Sequence, residues 1–171
     1  MLKKRYGNHP ILREGLVAGL IGAVSVATWF LLVDIFAGVP LFTPAVIGSA
    51  VFSGLRDPAE VIVSLQPVLL YSLVHLLAFG VVGVVASAMV AETERDPQLA
   101  WLLLEFFVVL EFGFYAVVAL LFTPLLASLA WANVAVGNLI AAVTMGYYLW
   151  RVRPGLRRGL LEQLMGHAAP D

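Results

Sequence analysis

The chain has 171 residues, of which 61% are hydrophobic and 12% charged, against about 25% charged in ordinary globular domains. Its formal net charge of −1 says little, because the charges cluster at the two ends and in short patches between long apolar runs. Cysteine is absent, which excludes disulfides, thiolate metal sites and thiol catalysis.

A stretch of about 20 mainly apolar residues suffices to cross a bilayer as a helix. Four such stretches occur, so the predicted fold is an all-α membrane protein, a four-transmembrane-helix up-down-up-down bundle, with residues 1–171 forming one transmembrane domain. The first stretch, residues 15–36, follows Lys3, Lys4, Arg5 and Arg13 and superficially resembles a signal peptide. It is too long for a signal core, and "VDIFAGVP" is a poor cleavage site, so it reads as a retained membrane helix. It stops near Gly38 and Pro40, where an outer loop, residues 38–66, begins.

Within that loop "TPAVIGSAVFSG" places Thr43 as N-cap and Pro44 at the first helical position. The segment is too short to span and predicts a short extra helix at the outer mouth of the bundle. The second span is expected over 67–90. The third covers 98–122, between the Asp96-Pro97 and Thr123-Pro124 breaks. After the tight connection "TPLLAS", the fourth covers 128–150. The tail, residues 151–171, alternates basic residues with leucines. Arg151, Arg153, Arg157 and Arg158, with Leu156, Leu160, Leu161 and Leu164, are expected to anchor it in the headgroup layer.

Orientation follows from the basic residues in short flanking segments. With four crossings, both termini and the connection after the second span share one side. That side holds Lys3, Lys4, Arg5, Arg13, Arg95, Arg151, Arg153, Arg157 and Arg158, while the other holds only Arg56. The expectation is therefore a multi-pass protein of the bacterial inner membrane with both termini in the cytoplasm.

Polar and ionisable groups at membrane depth are costly, so each poses a functional question. Asp34, His75, Glu105, Glu111, Asn133 and Asn138 lie within the spans, with no lysine or arginine among them. Three carboxyl groups without a basic partner cannot all stay ionised cheaply, so protonation, hydrogen bonding or metal binding is expected. At about 1.5 Å rise per residue, His75, Glu111 and Asn138 fall at one level near the midplane. Asp34 and Asn133 lie closer to the outer surface, where Tyr71 and Tyr115 join them. Tyr71, Ser72 and His75 share one helix face, as do Glu111 and Tyr115. Glu105 is rotated about 120° from Glu111 and forms a separate buried acid. Ala23, Ala27, Ala135 and Ala142 flank the polar groups, as small residues do at helix contacts in membranes. Gly15-x3-Gly19 and Gly83-x3-Ser87 fit close helix packing and, more weakly, homodimerisation.

His75, Glu111, Asn138, Asp34, Asn133, Tyr115 and Tyr71 thus form the expected ligand or proton site. A purely structural hydrogen-bonded network is the competing reading, at about 0.6 kcal/mol per contact. A metal on His75, Glu111 and Asp34 is the weak alternative. No Glu-x-x-His pair for a di-iron site occurs. A second membrane histidine for a haem is lacking too, because His9 and His167 lie in the cytoplasmic ends. No phosphate-binding glycine loop or nucleophile elbow appears. Nothing beyond the basic ends points to nucleic acid, and no cofactor is expected.

"GLVAGLIGAVSVATWFLLVDIFAGVPLFTP", "YSLVHLLAFGVVG" and "ANVAVGNLIAAVTMGYYLW" together resemble uncharacterised bacterial four-helix inner-membrane proteins. The resemblance covers most of the chain and implies a bacterial inner membrane, with no activity, cofactor or catalytic residue. Three functions remain open. The first is a protein that binds or transports a small ligand, ion or proton from the periplasmic side. The second is an accessory subunit of a larger membrane complex, with the buried polar groups as contacts. The third is a membrane-embedded, metal-dependent enzyme acting on a lipid-like substrate. Expected partners are the lipid bilayer and either a second copy of the chain or other membrane subunits.

Overall fold

The structure, a computed structural model, describes residues 9–121 and 131–156, with side chains for all of these except 9, 114 and 117–121. Every described element is helical: α1 (His9–Phe36), α2 (Phe42–Ser53), α3 (Leu65–Thr93), α4 (Trp101–Leu121) and α5 (Trp131–Val152), with 3-10 turns at Pro58–Glu60 and Pro97–Ala100. Three helices, α1, α3 and α5, are long and apolar enough to cross a membrane. Their outward faces carry residues such as Leu20, Leu77 and Val81, each more than half exposed. Hydrocarbon is the solvent that suits such a surface. The 21 residues of α4 include the "LLLEFFVVLEFGFY" run.

Several boundaries differ from the expected ones. α1 starts at His9, because Pro10 is tolerated in a first turn and because Glu14 finds an ion-pair partner there. α3 extends to 65–93. Residues 97–100 form a 3-10 turn capped by Asp96, whose Oδ1 accepts from Gln98 N at 3.0 Å, so α4 begins only at Trp101. α5 runs on through Arg151 and Val152. The Thr123-Pro124 break, the "TPLLAS" connection and residues 128–130 lie outside the described residues, as do Arg157 and Arg158.

The short helix in the loop is α2, but Thr43 is not its N-cap. Leu41 holds that position in the left-handed region, with φ 66°, and makes no side-chain cap bond. The cap comes from α1 instead. Asp34 accepts from Thr43 N at 2.8 Å through Oδ2 and from Thr43 Oγ1 at 2.7 Å through Oδ1. A carboxylate at a helix N-terminus satisfies an orphan N–H and matches the helix dipole. Asp34, only 3% exposed, therefore ties the end of α1 to the start of α2. On its other face α2 packs against α3, with Gly48 against Pro67 and with Val46 and Ala50 buried.

α1 is the central helix, packed extensively on α3 and on α5. A Cβ on Gly19 would meet the Phe79 carbonyl carbon of α3 at 2.8 Å, and one on Gly15 would meet Val84 Cα at 2.5 Å. The reciprocal position on Gly83 is filled by the backbone of Gly15 and Gly19. The glycine spacing is used within one chain, where absent side chains let two backbones touch. Between α1 and α5, the Ser25 and Thr144 hydroxyls lie 3.1 Å apart, and Trp29 Nε1 donates to the Asn133 carbonyl at 2.9 Å. Ala18, Val26, Val90, Ala141, Met145 and Leu149 fill the core where these helices meet. α4 touches α3 and α5 only lightly, which leaves space along its inner side.

Candidate functional site

Arg153, just past α5, is 8% exposed and does not lie free at the surface. Its Nε donates to Glu14 Oε2 at 2.7 Å and its Nη1 to Glu94 Oε2 at 3.1 Å. Nη2 approaches Ser87 Oγ at 3.4 Å. The second oxygen of Glu94 accepts from Leu156 N at 3.2 Å. One guanidinium thus gathers the start of α1, the end of α3 and the end of α5. Its planar fork of donors suits two carboxylates at once. The anchor expected of Arg153 is corrected accordingly: it is a buried clasp, because two acids of the same chain reach it first. Arg151 remains exposed, with its guanidinium 5.9 Å from the Tyr147 ring centroid.

At the opposite end of α1, Asp34, Tyr71 and His75 border a cavity of about 310 Å³ between α1, α2 and α3. His75 Nε2 lies 3.2 Å from the Ala23 carbonyl. A carbonyl only accepts, so this nitrogen carries the proton. In the neutral ring Nδ1 then accepts from the Tyr71 hydroxyl at 3.4 Å. The ring also rests against Phe79, with centroids 4.7 Å apart. Both nitrogens of His75 and both oxygens of Asp34 therefore have partners within the chain, as polar groups packed into a fold do.

Glu111 and Asn138 are brought together elsewhere. Asn138 Nδ2 donates to Glu111 Oε2 at 2.7 Å, joining α4 to α5. The other carboxylate oxygen, Oε1, is buried and receives no hydrogen bond among the described residues. Tyr115, one turn along α4, interacts with Glu111, while its hydroxyl donates to the Trp131 carbonyl at 2.8 Å. Glu111 and Asn138 border a second cavity of about 540 Å³, between α3, α4 and α5. The rest of its described lining is apolar: phenylalanines 79, 106 and 107, leucines 103, 110 and 149, and small residues of α3 and α5. From Glu111 this lining runs toward Leu103, Trp150 and Leu156, the end where Arg153 sits.

The single site expected from matched depth is thus two sites. His75 faces Ala23 of α1, and Glu111 faces Asn138 of α5, with Phe79 as the wall between them: its ring packs at a tilt against His75 and lines the second cavity. Depth along a helix does not fix the direction around it, and α1 occupies the space into which His75 points. Asn133 takes part through its backbone carbonyl, which receives Trp29. Glu105 is exposed on α4. Among the described residues no three His, Cys, Asp or Glu side chains gather at metal-ligand distance, so His75, Glu111 and Asp34 do not form a joint metal site. Glu14, Glu94 and Phe79 were not singled out by sequence. The two acids were findable, since each flanks a span on the side that collects the arginines. The role of Phe79 left no signal in an apolar run.

Comparison with known protein families, curated proteins and solved structures yields no match for this chain.

Proposed function

We propose that the chain is a membrane-embedded binding protein that takes a small ligand into the cavity between α3, α4 and α5, for binding or for transport. One observation carries this reading: a cavity lies between α3, α4 and α5 whose described lining is apolar except where Glu111 and Asn138 border it. A volume of about 540 Å³ falls inside the range of about 300–1,000 Å³ usual for ligand pockets. In this reading α4 is a fourth crossing, the bundle runs up-down-up-down, and both termini face the cytoplasm of a bacterial inner membrane. The cavity then occupies the cytoplasmic half, and the light packing of α4 offers lateral entry from the bilayer in place of the periplasmic route expected from sequence.

Trp150 lines the cavity, which supplies a test. A brominated alkane that binds there quenches Trp150 saturably, read as the difference between the wild type and Trp150→Phe. Filling the cavity with Gly146→Leu, at a glycine with open space beyond its Cα, is expected to abolish that quenching. Quenching that never saturates would remove the cavity as a binding site.

A role as an accessory subunit is the second reading, favoured by Glu105. This carboxyl is exposed on α4 beside exposed Leu104 and Val108, a costly position against lipid that a neighbouring subunit would cover. Co-purification with a second membrane protein after gentle extraction, lost in Glu105→Leu, is the expected outcome. A chain that extracts alone under the same conditions speaks against it.

A further inference from the structure

A third hollow, a groove of about 680 Å³, runs between α1 and α5. Ile21, Val143, Thr144, Tyr147, Tyr148 and Arg151 border it, and it shares no described lining residue with the two cavities above. Its inner end is apolar at Val143, while the last turn of α5 brings Arg151 to its outer end. The Arg151 guanidinium, which keeps its proton in proteins, makes no ion pair among the described residues. It lies 5.9 Å from the centroid of the Tyr147 ring. No acid borders the groove among the described residues. At this end of the bundle Glu14 and Glu94 are matched by Arg153, and Glu92 by Arg95. The Tyr147 and Tyr148 hydroxyls have no hydrogen-bond partner among the described residues.

We infer that this groove holds one phospholipid of net negative headgroup, with its phosphate on Arg151 and one acyl chain laid along α5 toward Val143.

Charge and length together select this occupant. An arginine fork binds phosphate oxygens in pairs, and a tyrosine ring at cation–π distance keeps the guanidinium beside the groove. The two tyrosine hydroxyls are further donors at the same end. From Arg151 to Val143 the groove follows α5 for roughly 12 Å at about 1.5 Å per residue. Half of a hydrocarbon core of about 30 Å is about 15 Å, so the groove matches one leaflet. Both of its walls, α1 and α5, are long and apolar enough to cross a membrane. A zwitterionic headgroup would bring an ammonium to a groove that offers it no carboxylate. A purely apolar occupant would leave the guanidinium unpaired, and free phosphate would leave the apolar end empty.

The inference rests on the membrane setting of α1 and α5 and is independent of the ligand cavity, so either can fail alone. The full-length chain in an uncharged detergent is titrated with dioleoyl phosphatidylglycerol, dioleoyl phosphatidylcholine or inorganic phosphate, and adducts are counted by native mass spectrometry. Expected is saturable binding of one phosphatidylglycerol per chain, roughly fivefold or more tighter than phosphatidylcholine. Arg151→Gln is expected to erase that preference. Arg95→Gln, which removes the same charge from the same end of the bundle, is expected to keep it. Val143→Trp, at a position 61% exposed, is expected to weaken phosphatidylglycerol by obstructing the chain. Unchanged unfolding midpoints show that the three variants are folded. Inorganic phosphate is expected neither to bind nor to displace the lipid. Equal affinity for the two lipids, or a preference that survives Arg151→Gln, would overturn the site. A preference lost equally in Arg95→Gln would reduce it to bulk surface charge, and displacement by phosphate would make it a free-anion site. Phosphatidylglycerol binding undiminished in Val143→Trp would remove the acyl chain from the groove and overturn the inference as well.

Discussion

Arg153 Nε donates to Glu14 Oε2 at 2.7 Å, although the two residues stand near opposite ends of the sequence. The same guanidinium reaches Glu94, so three helix ends close on one charged group. Removing one member of a buried charge cluster leaves the others uncompensated, at about 3–5 kcal/mol when burial is complete. The Glu14 and Glu94 side chains are 22% and 24% exposed, which lowers the expectation for Arg153→Ala to about 2–3 kcal/mol. By contrast, the Arg95–Glu92 pair is 65% and 57% exposed, and such surface pairs contribute at most about 1 kcal/mol. Thermal unfolding in detergent should therefore show a large loss for Arg153→Ala and almost none for Arg95→Ala. Equal effects would mean that Arg153 is not the clasp.

The seam between α1 and α3 depends on absent side chains. Gly19→Ala drives a Cβ into the Phe79 carbonyl, and Gly83→Ala drives one into Gly15. Backbone cannot yield as a flexible side chain can, and overpacking costs about 1–3 kcal/mol. Gly113 in α4 meets nothing within 4 Å, so Gly113→Ala is expected to be neutral or slightly stabilising. Unfolding midpoints of the three variants check this order, and a neutral Gly19→Ala would contradict the described contact.

Asp34 holds α2 by two hydrogen bonds to Thr43. Asp34→Ala removes both and leaves an N-terminal N–H of α2 unpaired, a loss of about 1–2 kcal/mol on the scale of helix caps. Loosening of α2 would expose the loop at residues 54–64. Limited proteolysis should accordingly cut Asp34→Ala there faster than the wild type, while Thr43→Val, which loses one bond, falls between them. Cleavage at the wild-type rate would show that Asp34 does not seat α2.

The absence of native cysteine makes topology directly testable. With both termini in the cytoplasm, Asp57→Cys should react with an impermeant maleimide in intact cells, and Arg95→Cys only after permeabilisation. The reverse pattern would invert the orientation, and labelling of both in intact cells would break the four-crossing reading.

How far sequence carried these conclusions differs from residue to residue. The apolar runs located α3, α5 and the end of α1 to within three residues, because hydrophobic length is written locally, while α1 begins six residues before the expected start. The spacing of Gly15, Gly19 and Gly83 signalled close packing but not whether the partner lay in the same chain. The cap of α2 was misread, because Thr43 carries the residue type of an N-cap while the actual cap, Asp34, comes from another helix. Depth placed Glu111 and Asn138 at one level, where they meet. The same depth drew His75 into their company, and only the packing of α1 against α3 shows it turned toward Ala23. The partners of Arg153 were hidden for the same reason, since contacts between the ends of a chain leave no local pattern.

The most direct test of the ligand cavity is native mass spectrometry of the chain released from its own membrane with minimal detergent, run in parallel on Glu111→Gln and Gly146→Leu. The expected result is a small bound mass on the wild type, diminished in Glu111→Gln and absent from Gly146→Leu. A bare chain in all three, or the same adduct on all three, would contradict a ligand site at Glu111 and leave its pairing with Asn138 as a packing contact between α4 and α5.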